Sequence, residues 1–199
     1  MDSINNKTSQ EEIWKIFDSW WIASKSEIFR LQLLNEYHVE EEEKVFNEYK
    51  EGKQVNLQND INTIEWLKKL KNKKVEGVRN INLMVIDLPL SDYLKFSVNT
   101  YLLDQKRYGR ESFFIEREKV AEIVRGVQDY WLFDNEKLLL MNYDNGGHFL
   151  SASEPMADMA IVSRYIRLKE AMLTKAMPME KFLPINGISI KHNKVLKLY

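Results

Sequence analysis

"DYWLFDNEKLLLMNYDNGGHFL", residues 129–150, contains two apolar runs, each followed by a turn rich in aspartate, asparagine or glycine. Apolar runs of this length between turn residues predict strands, and Asn-Gly is a strong hairpin signal. We therefore predict a three-stranded antiparallel meander over about 127–152. Asp144 and His148 lie on either side of the second turn, where an acid–base pair is one interpretation. The favoured interpretation is that the turn itself requires Asp144 and the glycines.

Helical periodicity surrounds this segment on both sides. Apolar side chains spaced by three and four residues predict a helix from Ile13, and further helices follow at 39–53, 57–74 and after Pro155. A β-branched run predicts a strand at about 78–87. The segment 90–109 fits a helix capped by Ser91 better than a strand.

These elements predict an α+β fold. An antiparallel sheet, formed by the meander at about 127–152 and the strand at about 78–87, packs against helices from the N-terminal half and a long C-terminal helix. The sequence has no Pro/Gly/Ser linker, so we expect one domain over 11–183. Residues 1–10 are expected to be flexible, and 184–199 form a C-terminal extension that suits a hairpin turning near 192–193.

Composition excludes several classes of protein. The 199 residues are 44% hydrophobic and carry a net charge of −1, which fits a packed core and disfavours nucleic acid as the main partner. The absence of cysteine rules out disulfides and thiolate metal sites. No signal peptide and no apolar run of about 20 residues are present, so we expect a cytoplasmic protein without a membrane partner.

Familiar catalytic motifs are missing from the sequence. It has no P-loop, no dinucleotide-binding glycine fingerprint and no nucleophile elbow. Its three histidines lie far apart and have no ligand-type neighbour at metal-binding spacing. The sequence therefore predicts no catalytic residue, no cofactor and no metal.

Some polar and aromatic residues remain as candidates for binding. Arg107 and Arg110 flank a glycine and could clamp a phosphate or carboxylate, although a solvated loop is the alternative. The lysines at 68–74 could meet phosphate or simply solvate a helix end. Large aromatic side chains on the first helix fit core packing or a partner-binding face: Trp14, Trp20 and Trp21.

A series of short stretches resembles a known family. The stretches are, in order, IFRL (28–31), EYHVEEE (36–42), PLSDYLKF (89–96), YWLFD (130–134), NYDNGGHFL (142–150), and a C-terminal end that carries Arg164, Tyr165, Ala176, Pro178 and Met179. Their order resembles an uncharacterised bacterial domain family, abundant in actinomycetes and often encoded near helix-turn-helix regulators. The resemblance covers about 17–183. Ser97 stands where the family pattern suggests an acid, and 184–199 are not matched.

The resemblance implies a bacterial protein that works with a regulator, and it selects five polar residues near any site: Arg30, Asp92, Tyr93, Asp134 and Tyr143. Arg30 lies within an apolar segment, where a guanidinium needs an anionic partner. That partner is expected to be Asp92 or Asp134, and the alternative is a phosphate of a ligand.

Two functions follow from these observations. The first is a non-catalytic binding or regulatory accessory protein that acts through protein contacts, with a DNA-binding regulator as a candidate partner. The alternative is an enzyme or sensor for a phosphorylated small molecule or nucleic acid. This alternative places an anionic ligand in an arginine, aspartate and tyrosine pocket formed by Arg30, Asp92, Tyr93, Arg107, Arg110, Asp134 and Tyr143.

Overall fold

The structure, a computed structural model, describes residues 10–55, 57, 60–189, 196 and 198. Residues 1–9 of the N-terminal segment lie outside the described residues, as does the hairpin turn predicted near 192–193. The remaining elements are arranged around one sheet.

Seven strands form a mixed sheet in the order β6-β5-β4-β1-β2-β3-β7. The strands are β1 Glu27–Gln32, β2 Arg79–Ile86, β3 Arg110–Glu116, β4 Asp129–Phe133, β5 Lys137–Tyr143, β6 Phe149–Ala152 and β7 Met177–Pro178. The pairs β1–β2 and β2–β3 are parallel, and the remaining pairs are antiparallel. The predicted α+β class is confirmed. The prediction of an antiparallel sheet was wrong for two of the strand pairs, because the sheet is mixed. Long connections that contain helices join β1 to β2 and β2 to β3, so these three adjacent strands run parallel.

Helices fill the connections between the strands. They are α1 Gln10–Ala23, α2 Glu40–Lys50, α3 Ile61–Val75, α4 Asp92–Ser97, α5 Leu103–Arg107, α6 Ala121–Val124, α7 Met159–Leu173 and α8 Met179–Ile185. Ser91 caps α4 by accepting from the Leu94 N–H, and Asp60 caps α3 in the same way. A π-helical turn, Val98–Leu102, joins α4 to α5. No helix within the described residues is long and apolar enough to cross a membrane.

The two faces of the sheet differ in chemistry. One face is apolar across the central strands, where Phe29, Leu31 and Leu83 pack with Val162 of α7. The opposite face carries Ile28, Trp131 and Phe133, which pack with side chains of α1 and α3: Ile13, Phe17, Trp21 and Leu67. Polar residues interrupt this second face at its centre, and the candidate site lies over that interruption.

Candidate ligand-binding cavity

Five polar residues lie together on one face of the three parallel strands. The register places Arg30 of β1 beside Asn82 of β2, and Asn82 beside Ser112 of β3. In the next row, Asn80 lies beside Arg110. Because alternate residues of a strand share a face, these five side chains point to the same side of the sheet. We refer to them as the polar floor.

The polar floor contains unpaired groups. Among the described residues, every fully buried side-chain nitrogen or oxygen without a hydrogen-bond partner belongs to it. The atoms are Nε of Arg30, both amide atoms of Asn80, Oδ1 of Asn82, Nε and Nη2 of Arg110, and Oγ of Ser112. Buried polar groups in proteins are nearly always hydrogen-bonded, so a cluster of exceptions indicates a binding site.

The two arginines of the floor have no carboxylate partner within ion-pair distance in the described part of the chain. The guanidinium carbon of Arg110 lies 5.2 Å from the ring centroids of both Trp66 and Trp131. That of Arg30 lies 5.0 Å from Trp131. Burial, and then the positive charge of Arg30, hold the pKa of Arg110 well below its ordinary value. The pair therefore attracts an anion that would relieve both costs.

Acidic groups near Arg30 distinguish it from Arg110. Burial lowers the pKa of Arg30, but the nearby tyrosines Tyr143 and Tyr37, together with Asp129, outweigh burial and raise it. The Tyr37 hydroxyl donates to Asp129 Oδ2 at 2.5 Å, and the Leu33 N–H donates to Oδ1 at 2.9 Å. Asp129 is thus occupied by its own hydrogen bonds.

Tyr143 has a hydroxyl that remains available to a ligand. Burial raises its pKa, while the charge of Arg30 and a hydrogen bond with that side chain oppose the rise. Arg30 is only a donor, so the Tyr143 oxygen accepts this bond and its own O–H is left to donate elsewhere. Tyr143 therefore adds a neutral donor beside the two guanidiniums.

A cavity of about 990 Å³ lies over the floor and is lined by Arg30, Asn82, Arg110 and Trp131. This volume is at the upper end of the range usual for small-molecule sites. Its walls come from α1, from α2 and α3, from the helical segment 92–107, and from the hairpin between β5 and β6. The aromatic side chains that line it are Trp14, Phe17, Tyr37, Trp66, Tyr93, Tyr101, Trp131, Tyr143 and Phe149.

The outer part of the cavity is acidic. Glu42 of α2 and Asp60 at the start of α3 both line it. The Tyr93 hydroxyl donates to Glu42 Oε2 at 2.9 Å. Burial raises the pKa of Glu42, and the bond from Tyr93 and the charge of Arg30 oppose the rise. Burial also raises the pKa of Tyr101, with smaller contributions from the charges of Glu42 and Asp60.

Two histidines meet at the mouth. The rings of His38 and His148 have centroids 4.2 Å apart. The backbone N–H of His38 donates to the Gly147 carbonyl at 3.0 Å. Nδ1 of His148 lies 3.0 Å from Asp144 Oδ2. Asp144 also accepts from the backbone N–H groups of His148 and Gly146 at 2.8 Å. The backbone bond from His148 makes the largest contribution to the lowered pKa of Asp144.

No group of histidine and carboxylate side chains within the described ranges is arranged to hold a metal ion. The donor groups over the floor are guanidinium, amide and hydroxyl. The two guanidiniums have no lone pair to offer a metal ion and repel it by their charge, whereas they attract an anion.

Four of the seven ligand-binding residues predicted from the sequence line the cavity: Arg30, Tyr93, Arg110 and Tyr143. The other three lie elsewhere. Asp92 is exposed and pairs with Lys95 at 2.9 Å, and Arg107 is exposed on α5. Asp134 accepts from the backbone N–H groups of Lys25, Ser26 and Glu27 and so holds the start of β1.

The prediction that Asp92 or Asp134 pairs with Arg30 was wrong, since neither carboxylate reaches the guanidinium. Asp134 has a positive φ of 51° in the β4–β5 turn, which directs its carboxylate to the backbone before β1. These backbone bonds lower its pKa against the effect of burial. The role of Asp134 is therefore to bind the backbone before β1, and not to pair with an arginine.

The tryptophans of α1 fall into three environments. Trp14 is 39% exposed and contacts Phe149 at the cavity mouth. Trp20 is half-buried against Phe133. Trp21 is 2% exposed and lies in the core against Trp66, so it is not accessible to a partner.

The lysine-rich end of α3 is largely committed to the protein itself. Lys69 pairs with Asp18 at 2.7 Å. Lys73 is buried and donates to the Ile22 carbonyl at 2.8 Å and to Glu76 at 2.6 Å. Lys69 is the lysine of this cluster that lines the cavity.

Sequence reasoning missed Asn82, Glu42, Trp66 and Trp131. A usable signal was present for the first, because Asn80 and Asn82 are spaced by two within an apolar strand and therefore share one buried face. Glu42 is one of four consecutive glutamates, 40–43, and no sequence pattern distinguishes it from the others as the one that bonds to Tyr93.

Comparisons with known proteins give a family and distant structural neighbours. A family model described as "Domain of unknown function (DUF6879)" matches residues 15–184. Among curated proteins, none is similar in sequence to the chain.

The solved structures that resemble the fold include these three. Nuc from Salmonella typhimurium, a phospholipase D family member, has a TM-score of 0.47 at 8% identity, with 83% of this chain and 89% of that chain covered. NucT from Helicobacter pylori has a TM-score of 0.46 at 8% identity, with 85% and 92% covered. The archaeal chromatin protein TrmBL2, whose structure shows a mode of DNA binding, has 0.44 at 12% identity, with 88% and 55% covered. This chain thus spans about half of TrmBL2. Each of these three TM-scores is below 0.5.

Proposed function

We propose, for a chain that belongs to the DUF6879 family of domains of unknown function, that it binds a small phosphorylated molecule at Arg30 and Arg110. The observation that carries this proposal is the pair of arginines on the polar floor without a carboxylate partner among the described residues. A phosphate monoester carries up to two negative charges, which match the two guanidiniums.

The neighbouring groups fit the same ligand. Asn82 presents an unpaired amide oxygen that suits a hydroxyl of the ligand, and Tyr143 supplies a neutral donor. Trp66 and Trp131 surround the guanidiniums with apolar surface, which strengthens their attraction for an anion by lowering the local dielectric constant. The pKa values of the tyrosines beside Arg30 are raised, so their hydroxyls add no negative charge that would repel an anion near neutral pH.

A titration of the purified protein with inorganic phosphate and with nucleoside monophosphates tests the proposal, followed by calorimetry and thermal unfolding. Arg110→Met and Arg30→Met should each lose most of the affinity, by a factor of about 10 or more. Arg107→Met is the matched control, because this arginine is exposed and lies outside the cavity lining. Binding that is equally strong in the Arg110→Met protein would exclude the arginine pair as the site.

A protein-contact function, the first expectation from the sequence, stays a second proposal. It is supported by exposed apolar side chains beside the cavity mouth: Trp14, Phe149 and Leu150, which are 39%, 36% and 61% exposed. Such a patch suits a partner that responds to the ligand state, for which a DNA-binding regulator is the candidate. Co-purification of the regulator encoded nearest to the gene, compared between wild type and Trp14→Glu, tests this proposal.

A further inference from the structure

The charge of the cavity changes sign from floor to mouth, and from this we infer that its ligand is a zwitterion. A phosphate or similar dianion binds Arg30 and Arg110, and an organic cation on the same molecule lies near Glu42 and Asp60. The inference rests on the proposed function and specifies the ligand of the same site.

The outer end has the composition of a site for an organic cation. Glu42 and Asp60 both line the cavity, and no lysine or arginine in the described part of the chain forms an ion pair with either. Tyr93, which bonds to Glu42, and Tyr101 are aromatic residues that also line the cavity. A cation gains both from carboxylates and from the faces of aromatic rings.

The hydrogen bonds within this end leave its negative charge uncompensated. Glu42 accepts from the Tyr93 hydroxyl, and Asp60 accepts from the Thr63 N–H at 2.6 Å. Both donors are neutral, so they solvate the carboxylates without neutralising them. Glu42 is half-buried, and the charge of Asp60 acts on it in the same sense as its burial. A ligand cation would relieve this repulsion.

Both ends lie within reach of one small molecule. The guanidinium carbon of Arg30 lies 6.0 Å from the ring centroid of Tyr37, and that ring lies 6.2 Å from the ring of Tyr93, whose hydroxyl donates to Glu42. A cavity of about 990 Å³ has room for a phosphate, a short linker and an ammonium group with apolar substituents.

The acidic mouth also disfavours the obvious alternative ligand. A polyphosphate anchored at Arg110 would extend its outer charges toward Glu42 and Asp60, where like charges repel. A zwitterion places a charge of the matching sign at each end. The unpaired, 3% exposed Arg110 fixes the direction of the ligand, with its anion inward.

Matched probes separate the two ends of the ligand. O-Phosphoethanolamine and ethyl phosphate share a phosphate and a two-carbon chain, and only the first carries an ammonium group. Calorimetric titration of the full chain should show O-phosphoethanolamine binding about tenfold more tightly than ethyl phosphate. Glu42→Gln and Asp60→Asn should each reduce that ratio by at least half, and they should leave ethyl phosphate binding unchanged or tighter.

The outcomes distinguish this inference from the proposed function. Equal affinity for the two probes, together with binding that Arg110→Met abolishes, would refute the zwitterion and retain the anion site. Binding of neither probe in an arginine-dependent manner would overturn both. Because Asp60 also caps α3, the thermal unfolding of Asp60→Asn is measured alongside, and Glu42→Gln supplies a variant without a capping role.

Discussion

Replacement of Arg110 by methionine should stabilise the ligand-free protein while it removes anion binding. Methionine keeps an unbranched chain of similar length, and it removes a 3% exposed charge that repels Arg30. Stability and binding would therefore change in opposite directions, which is the reverse of what a structural arginine would give.

The magnitude follows from the contacts of the side chain. Two unpaired guanidinium nitrogens, Nε and Nη2, each cost about 1–3 kcal/mol when buried. The two cation–π contacts with Trp66 and Trp131 return about 0.5–2 kcal/mol each. The difference is a stabilisation of roughly 1–2 kcal/mol, or an increase in Tm of about 2–8 °C for a chain of this size.

Urea unfolding and calorimetry of wild type, Arg110→Met and Arg107→Met measure the effect without ligand and with saturating phosphate. Phosphate at 100 times the wild-type Kd should add about 2.7 kcal/mol to the wild type and to Arg107→Met, and about 1.4 kcal/mol or less to Arg110→Met, whose affinity is at least about tenfold lower. Destabilisation of the ligand-free Arg110→Met protein by more than about 1 kcal/mol would refute the reasoning, because Arg110 would then be paired within the fold.

Three further predictions test other parts of the structure, the first two by urea unfolding and the third by circular dichroism. Asp134→Ala should lower the free energy of unfolding by about 2 kcal/mol at pH 7, because its bonds to the backbone are lost. Since the folded-state pKa of Asp134 is lowered, this stabilisation is present above the ordinary pKa of aspartate and is lost as the pH falls through the folded-state pKa. A cost that stays unchanged at low pH would contradict this prediction. Gly147→Ala should cost about 2 kcal/mol or more, since a Cβ would lie 2.5 Å from the Glu36 carbonyl oxygen at a φ of 81°, and a neutral result would mean that the hairpin tip moves freely. Trp21→Glu should prevent folding, whereas Trp14→Glu should lower the free energy of unfolding by about 1 kcal/mol, because Trp21 is buried and Trp14 is exposed. Circular dichroism checks both, and the reverse result would contradict this assignment of burial.

The sequence was informative wherever a pattern is local. The helix at 92–107 and its Ser91 cap follow from apolar spacing and one hydroxyl, and both were expected. The parallel pairing of β1 with β2 depends on a connection of more than 40 residues, which no short-range pattern records. The sheet was therefore expected to be antiparallel.

The candidate site shows the same division. Arg30 and Arg110 stand out in the sequence because each interrupts or begins an apolar run, and both reach the cavity. Asp92 and Asp134 looked equally suitable, but local hydrogen bonds and an exposed ion pair satisfy them. Glu42 is one of four consecutive glutamates, and only the packing of α2 distinguishes it from the other three. Tertiary placement decides such cases, and residue type does not.

The parallel strands and the helices over them divide the work of recognition between a rigid part and an adjustable part. Arg30, Asn82 and Arg110 sit on hydrogen-bonded strands whose register fixes their spacing, whereas Glu42 and Asp60 sit at the starts of α2 and α3. Related chains could therefore keep the same anion-binding arginines and differ in ligand selectivity by exchanging the segment 40–63. Exchange of that segment between relatives is expected to change which ligand is preferred, while the affinity for the ligand's phosphate group is retained.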